Sequence, residues 1–284
     1  MSKPTAQPII DAHTHIFSPD LERYPLANPN SSYRPITDGR AETLKAQMEA
    51  AGVERAVTIS PWFYGWNIDY TLDALAQHRD WLAVAALVPP TAPDGPALLE
   101  RYVKEFGVCG LRIQARISGL GRFDDPASTP IWEKAAELEL PVDVNATHEE
   151  YPQVEQRLRD FPTVPVLLDH CGYVSGDLAP KTPTVGPVVR LAEYPNTYAK
   201  LTFLALASQE EYPFRDVHWM VHELVDAFGA ERCLFGSNFP TAQYNAKMTY
   251  TQTVRIFQEE IDLPPVAQDW ILGGTASKLW QWVS

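Results

Sequence analysis

The sequence of 284 residues predicts an α/β protein with the fold of a (β/α)8 TIM barrel, arranged as a single domain over residues 1–284. Short runs rich in aliphatic and β-branched residues alternate with helical patterns along the chain, which is typical of a parallel sheet covered by helices. Eight such runs favour a barrel, which typically needs ~250 residues. An open doubly wound sheet stays as the alternative, because periodicity does not distinguish the two. The predicted strands are residues 8–16, 55–60, 82–88, 109–115, 141–146, 164–169, 197–203 and 232–237.

Helical patterns lie between most of these strands, and two of them have recognisable ends. Residues 41–51 are followed by Gly52, the residue type that most often ends a helix. Residues 129–139 begin with Thr-Pro, which predicts Thr129 as the N-cap and proline at the first helical position.

Two segments interrupt the alternation, and both directly follow a predicted strand. Residues 18–38 are rich in Pro, Asn and Ser, and residues 61–70 contain five aromatic side chains, including Trp62 and Tyr64. Active sites of barrels are built from loops at the carboxyl ends of the strands. We therefore expect a lid or an aromatic pocket wall, the alternative being that the aromatic side chains only seal the rim.

The overall charge restricts the class of partner. The formal net charge is −13, which argues against nucleic acid or an anionic membrane as the main partner but leaves a small anionic substrate open. Cys109, Cys171 and Cys233 are widely spaced, which predicts reduced thiols in the cytoplasm. We expect neither a signal peptide nor a membrane span, since no long apolar run is present. Barrels of this kind often pair, so a homodimer is one expected assembly.

The first strand carries the strongest chemical motif. In Ile-Ile-Asp-Ala-His-Thr-His, Asp11, His13 and His15 occupy alternate positions, which predicts that their side chains share one face. Two imidazoles placed in this way can bind one metal ion, typically zinc. The alternative is a pair of hydrogen-bonded core histidines.

A third histidine and a set of cations lie near the ends of other strands. His170 ends strand 6, where a histidine suits catalysis or metal binding, and it is predicted to face opposite to Asp169. Strand 4 places Arg112, Gln114 and Arg116 on one face, and strand 7 directs Lys200 inward. Burying a cation inside a barrel is costly unless the cation is paired with an anion or binds a ligand. These cations predict a substrate that carries a carboxylate, or else internal salt bridges with neighbours such as Asp11.

Three motifs together resemble the amidohydrolase superfamily, and its amidohydrolase-2 branch of TIM-barrel "metal-dependent hydrolases" most closely. They are Asp-Ala-His-Thr-His (11–15), Leu-Asp-His-Cys-Gly (168–172) and Leu-Phe-Gly-Ser-Asn-Phe-Pro (234–240). The resemblance covers nearly the whole chain in the same order. It implies either a lactonase that acts on sugar-acid or dicarboxylate lactones, or a non-oxidative decarboxylase of aromatic acids.

The chain departs from the metal-binding members at two positions. Where the resemblance implies a histidine at the end of strand 5, the chain has Asn145, with His148 three residues later; where it implies an aspartate after Gly-Ser, the chain has Asn238. Amides are poor zinc ligands. We therefore favour a metal-free site over one in which His13 and His15 hold one divalent metal ion, for which zinc is the expected ion.

These observations predict a hydrolase that opens a carboxylated lactone or related cyclic ester. The His-x-His pair, with or without a metal, would polarise the carbonyl, and His170 would activate water. The alternatives are a metal-dependent decarboxylase of an aromatic acid and a catalytically silent barrel that binds a small anion. The predicted catalytic residues are His13, His15, His170 and Asn238; the predicted substrate-binding residues are Arg112, Arg116, Lys200, Asn145, His148, Trp62 and Tyr64.

Overall fold

The computed structural model describes residues 7–114, 122–174, 185–280 and 282. Eight strands form one parallel sheet in which each strand pairs with the next along the chain, in the order β1 to β8. The strands are β1 (Ile9–Thr14), β2 (Val53–Ile59), β3 (Leu82–Leu87), β4 (Gly110–Ile113), β5 (Val142–Val144), β6 (Val166–Leu168), β7 (Thr197–Lys200) and β8 (Cys233–Leu234).

The sheet closes on itself where β1 meets the chain that follows β8. Ala12 N donates to Phe235 O at 3.0 Å, and His15 N donates to Phe239 O at 2.7 Å. Asn238 N donates to His13 O at 2.9 Å, and Thr14 and Phe239 form a parallel bridge. The predicted (β/α)8 barrel is therefore confirmed, and the open sheet is excluded.

Helices cover the outside of the barrel. The predicted helix that begins at Thr129 is confirmed in position, but Ser128 is its N-cap residue and Thr129 is already helical. Among the described residues, no helix is long and apolar enough to cross a membrane. The α-helices are Ala41–Ala51, Asp69–Gln77, Gly95–Arg101, Thr129–Glu137, Tyr151–Asp160, Val185–Arg190, Leu204–Ala207, His218–Phe228, Thr241–Tyr244, Tyr250–Arg255, Pro265–Asp269 and Thr275–Leu279.

The interior of the barrel has two chemically different layers. The lower layer is apolar and fully buried, with side chains from several strands, such as Ile10, Val57 and Leu167, in one cluster. Above it, towards the carboxyl ends of the strands, lie the buried charged residues Asp143 and Lys200. The candidate site is built on this charged layer.

A register shift in β1 sets the direction of its polar side chains. Asp11 pairs with Ala56 and Thr14 with Thr58, so three steps along β1 match two along β2. The extra residue breaks the alternation of faces, as in a β-bulge. Asp11 accepts hydrogen bonds from Ser237 N at 2.9 Å and Tyr250 OH at 3.0 Å, away from the imidazoles. The prediction that Asp11 shares a face with the two histidines is therefore wrong.

Candidate active site

A cavity of about 260 Å³ opens at the carboxyl ends of the strands, where barrel active sites lie. Both loops predicted from the sequence contribute to it, the first through Tyr33 and the second through Pro61 and Trp62. Its lining residues are His15, Tyr33, Pro61, Trp62, Arg112, Gln114, Asn145, His170, Tyr173, Leu206, Asn238 and Tyr244.

A larger cavity, of about 460 Å³, lies beneath the first loop but offers little chemistry. Its charged residues, Asp38 and Arg40, are paired with each other, with Arg40 Nη2 at 2.7 Å from Asp38 Oδ2. We therefore place the candidate active site in the smaller cavity, which holds imidazoles, amides and a guanidinium together.

His13 and His15 converge at the floor of this cavity. Their Nε2 atoms are 3.2 Å apart, and His15 Nδ1 lies 2.9 Å from the carbonyl oxygen of Ile59. A carbonyl only accepts hydrogen bonds, so His15 carries its hydrogen on Nδ1 and presents a lone pair at Nε2. Burial lowers the pKa of His13 well below its usual value and that of His15 to about 3. Both imidazoles are therefore neutral at neutral pH.

The glycine of the strand-8 motif lets His13 approach closely. A Cβ on Gly236 would lie 2.7 Å from His13 Cβ and 2.7 Å from Thr202 Cγ2. Real Cβ contacts are not this short, so any larger residue would displace the imidazole. The glycine of the Gly-Ser-Asn motif thus leaves room for His13, and the asparagine of the same motif is the cavity residue Asn238.

Lys200 lies beneath the cavity in a buried ion cluster. Its ammonium ion-pairs with Asp143 and, at 3.4 Å, with Asp169 Oδ1, and all three side chains are fully buried. Lys200 is not among the described residues that line the cavity. The structure therefore favours the internal ion pair over a substrate contact for Lys200, with Asp143 and Asp169 as partners in place of Asp11.

Arg112 belongs to both the cluster and the cavity. Its Nε donates to Asp169 Oδ2 at 2.7 Å, while the side chain also lines the cavity. Burial alone would raise the pKa of Asp169, but the charges of Arg112 and Lys200 outweigh it and hold that pKa well below its usual value. Burial raises the pKa of Asp143 to about 7. Asp169 is thus the fixed negative charge that orients the guanidinium.

His170 reaches the cavity because the backbone changes conformation after β6. His170 has φ 54° and Cys171 φ 47°, both in the left-handed region, within a short 3-10 segment. This turn lets Asp169 point into the charged layer while His170 still lines the cavity, so the predicted division of the two residues between opposite faces is wrong. His170 Nδ1 lies 2.6 Å from Thr202 Oγ1, and burial lowers the pKa of His170 to about 4.

The two asparagines have different surroundings. Asn145 Oδ1 accepts from Tyr173 OH at 2.8 Å, and its Nδ2 donates to Gln114 Oε1 at 3.4 Å. Asn238 has φ 55°, a conformation that asparagine tolerates better than most residues, and its buried Oδ1 has no hydrogen-bond partner among the described residues. Asn145 is therefore fixed in the cavity wall by its two hydrogen bonds, whereas Asn238 Oδ1 is available to accept a hydrogen bond from a bound ligand.

Aromatic side chains form the outer wall. The ring of Tyr244 lies 4.9 Å from that of His15, and its hydroxyl is buried beside that of Tyr33. Burial raises the pKa of Tyr244 well above its usual value, which keeps the phenol protonated and able to donate. Neither Tyr33 nor Tyr244 was predicted, because both come from connections whose placement depends on the tertiary fold.

Besides Lys200, two other described residues that were predicted to bind substrate, Tyr64 and His148, are not among the residues that line the cavity. Tyr64 is buried, and its hydroxyl contacts Ser18, accepting from the backbone N at 3.0 Å and donating to the carbonyl oxygen at 3.3 Å. His148 is half-buried in the turn before the helix Tyr151–Asp160, where its carbonyl accepts from Tyr151 N. Arg116 lies outside the described residues.

The residues present do not complete a metal centre. The Nε2 separation of 3.2 Å would suit two ligands of one ion, but catalytic zinc sites use three protein ligands. Among the described residues, no group of three or more His, Cys, Asp or Glu side chains is placed to hold a metal. Of the two amides, Asn145 Oδ1 is already occupied by Tyr173, so only the neutral amide of Asn238 is open.

Comparison with known proteins identifies the family. Residues 10–282 match the family model of the amidohydrolases, Amidohydro_2. The chain belongs to the amidohydrolase family. This amidohydrolase is 28% identical to the 4-sulfomuconolactone hydrolase of Hydrogenophaga intermedia over 82% of its own length and 75% of that protein.

Solved structures share the fold. The probable 2-pyrone-4,6-dicarboxylic acid hydrolase of Acinetobacter baumannii, with citric acid bound, superposes with a TM-score of 0.82 at 19% identity, over 95% of this chain and 98% of that one. An amidohydrolase of Burkholderia multivorans with bound zinc superposes with a TM-score of 0.75 at 21% identity, over 96% and 98% of the two chains. Both likenesses place this amidohydrolase in the same barrel architecture.

Proposed function

We propose that this amidohydrolase hydrolyses a lactone that carries a carboxylate or a comparable anionic group. The observation that carries the proposal is Arg112, the one cation among the described residues that line a cavity whose imidazoles are neutral. The activities named for 4-sulfomuconolactone hydrolase and the probable 2-pyrone-4,6-dicarboxylic acid hydrolase support it, since both names describe acidic lactones.

Substrate binding falls to the guanidinium of Arg112. Its Nε is held by Asp169, so its two terminal nitrogens are the atoms available to grip a carboxylate in a bidentate manner. The buried setting strengthens this contact, because little water competes for it. A fixed anion site also places the ring in one orientation above the catalytic groups, which lowers the entropic part of the barrier.

Water activation falls to His170. When Nδ1 donates to Thr202 Oγ1, Nε2 holds a lone pair that can take a proton from water. A pKa of about 4 keeps this nitrogen unprotonated at neutral pH. Asn238 Oδ1, which has no partner among the described residues, would accept the second hydrogen of the same water and aim its oxygen at the carbonyl carbon.

Polarisation of the carbonyl is assigned to neutral donors in the wall. His15 Nε2 accepts from His13, and His13 is fully buried, so the pair presents no N–H group directly to the cavity. We therefore assign the developing oxyanion to Tyr244 OH and the Asn238 amide nitrogen, with the imidazole pair as the floor that supports them. The His13 and His15 imidazoles therefore support the groups that polarise the carbonyl, whereas the sequence predicted that they polarise it directly. None of the proposed steps uses a metal ion.

A panel of lactones tests the proposal. Purified protein is assayed by acid release on muconolactone-type and pyrone carboxylates and on uncharged lactones of the same ring size, with and without a chelator. We expect turnover that favours the carboxylated substrates by about 10-fold or more, the scale of one hydrogen bond to a charged group, and that withstands the chelator. No hydrolysis of any carboxylated lactone would contradict the proposal. Carbon dioxide release would instead identify decarboxylation.

A further inference from the structure

The ammonium group of Lys200 is surrounded by three acceptors in the layer beneath the cavity. It ion-pairs with Asp143 Oδ1 and Asp169 Oδ1, and it lies 3.4 Å from His13 Nδ1 in hydrogen-bonding geometry. An ammonium has three N–H donors and no acceptor. Neither carboxylate oxygen has a hydrogen-bond partner in the described part of the chain, so both are ion-pair contacts only. The contact to His13 Nδ1 does have hydrogen-bonding geometry, and it requires a lone pair on that nitrogen.

The other contact of His13 Nδ1 would require the opposite tautomer. Asp169 Oδ1 lies 3.2 Å away and could accept a hydrogen from Nδ1. A ring nitrogen of a neutral imidazole cannot donate to Asp169 and accept from Lys200 at once. The contact on the far side of the ring also bears on the choice of tautomer.

The far side of the ring faces His15. His15 donates through Nδ1 to Ile59 O, so its Nε2 is an acceptor, and His13 Nε2 lies 3.2 Å from it. If His13 carried its hydrogen on Nδ1, two lone pairs would meet at this distance. With the hydrogen on Nε2, the bonds run without conflict from Lys200 to His13, to His15 and to the Ile59 carbonyl.

We propose that Lys200 is a positioning residue that fixes His13 as its Nε2–H tautomer and so withholds the His13 lone pair from any divalent metal. A metal on the pair would need both Nε2 atoms free of hydrogen. Its binding would move the hydrogen of His13 to Nδ1, towards Asp169, and would break the bond from Lys200. This role does not depend on the substrate proposed above.

Nitrogen NMR of histidine-labelled, metal-free protein reads the tautomer directly. The His13 signals are identified by their loss in His13→Gln. We expect the Nε2–H tautomer in the unmodified protein and in the control Asp143→Asn, which keeps Lys200. Lys200→Met combined with Asp143→Asn removes both charges of one ion pair. In this double variant we expect part of the His13 population to shift to Nδ1–H donating to Asp169, because the donor to Nδ1 is gone while the contact with His15 remains.

Zinc titration of the same three proteins gives a second readout. We expect the double variant to bind zinc about 10- to 100-fold more tightly than the Asp143→Asn control, the range over which partners of metal ligands act. The proposal is overturned if His13 is Nδ1–H in the unmodified protein, or if a folded double variant keeps both the Nε2–H tautomer and the zinc affinity of the control. If the double variant does not fold, the tautomer in the unmodified protein decides.

Discussion

The wall of the cavity and the buried layer beneath it use the same residue types for different purposes. Arg112 of β4 and Lys200 of β7 are both cations directed into the barrel, and the sequence gives no reason to separate them. Arg112 lines the cavity, with one nitrogen held by Asp169, whereas Lys200 is fully buried between Asp143 and Asp169. The difference between the two residues is depth along the barrel axis.

The buried layer orients the cation in the wall above it. Asp169 holds Arg112 through one oxygen and meets Lys200 through the other, so the cluster orients the guanidinium without touching the substrate. Two cations and two carboxylates compensate one another, which limits the cost of removing them from water. Lys200, the deeper cation, helps to organise the site, and Arg112, at the cavity, is available to bind the substrate.

The largest effect is expected on stability when the buried cation is removed. Lys200→Met leaves Asp143 and Asp169 without their shared partner, and breaking a buried ion pair costs about 3–5 kcal/mol. The free energy of unfolding in urea measures the loss. Lys104→Met is the matched control, because Lys104 forms an exposed pair with Glu100 and exposed pairs contribute little to stability. A loss for Lys200→Met no larger than that of the control would contradict the role of the cluster.

A smaller effect, confined to catalysis, is expected in the wall. His170→Ala should lower kcat by about 100-fold or more while the protein stays folded, because it removes the general base. The pKa of His170, lowered to about 4, keeps the base unprotonated above that pH. The rate of the unmodified enzyme should therefore stay level from pH 7 to 5, and it should fall only as the pH drops through about 4. An acid limb centred near 6.5, the ordinary value for histidine, would show that His170 is not the base.

The sequence predicts the barrel well because its signals are local. All eight strands lie within or overlap their predicted ranges, since each is a short apolar run flanked by helical periodicity. The convergence of His13 and His15 is also confirmed. The two imidazoles meet even though the register shift of β1 falls between Asp11 and Thr14, the interval that contains His13.

What the sequence did not predict depends on non-local geometry. The extra residue in β1 turns Asp11 away, and the left-handed backbone at His170 brings Asp169 inward. Neither feature can be predicted from the alternation of side chains between the two faces of a strand. Asp143 could have been found, because an aspartate between two valines in a buried strand needs a cation. Tyr244 could not, since no local pattern brings its helix over the cavity.

The most direct test of the comparison is the selectivity of Arg112→Lys for charged over uncharged lactones. Lysine keeps the positive charge but loses the planar fork that binds a carboxylate. We expect kcat/KM for a carboxylated lactone to fall by about 10- to 100-fold, the scale of hydrogen bonds to a charged group, while the value for an uncharged lactone of the same ring changes much less. Equal losses for both substrates, or none for either, would show that Arg112 does not bind the substrate's anionic group.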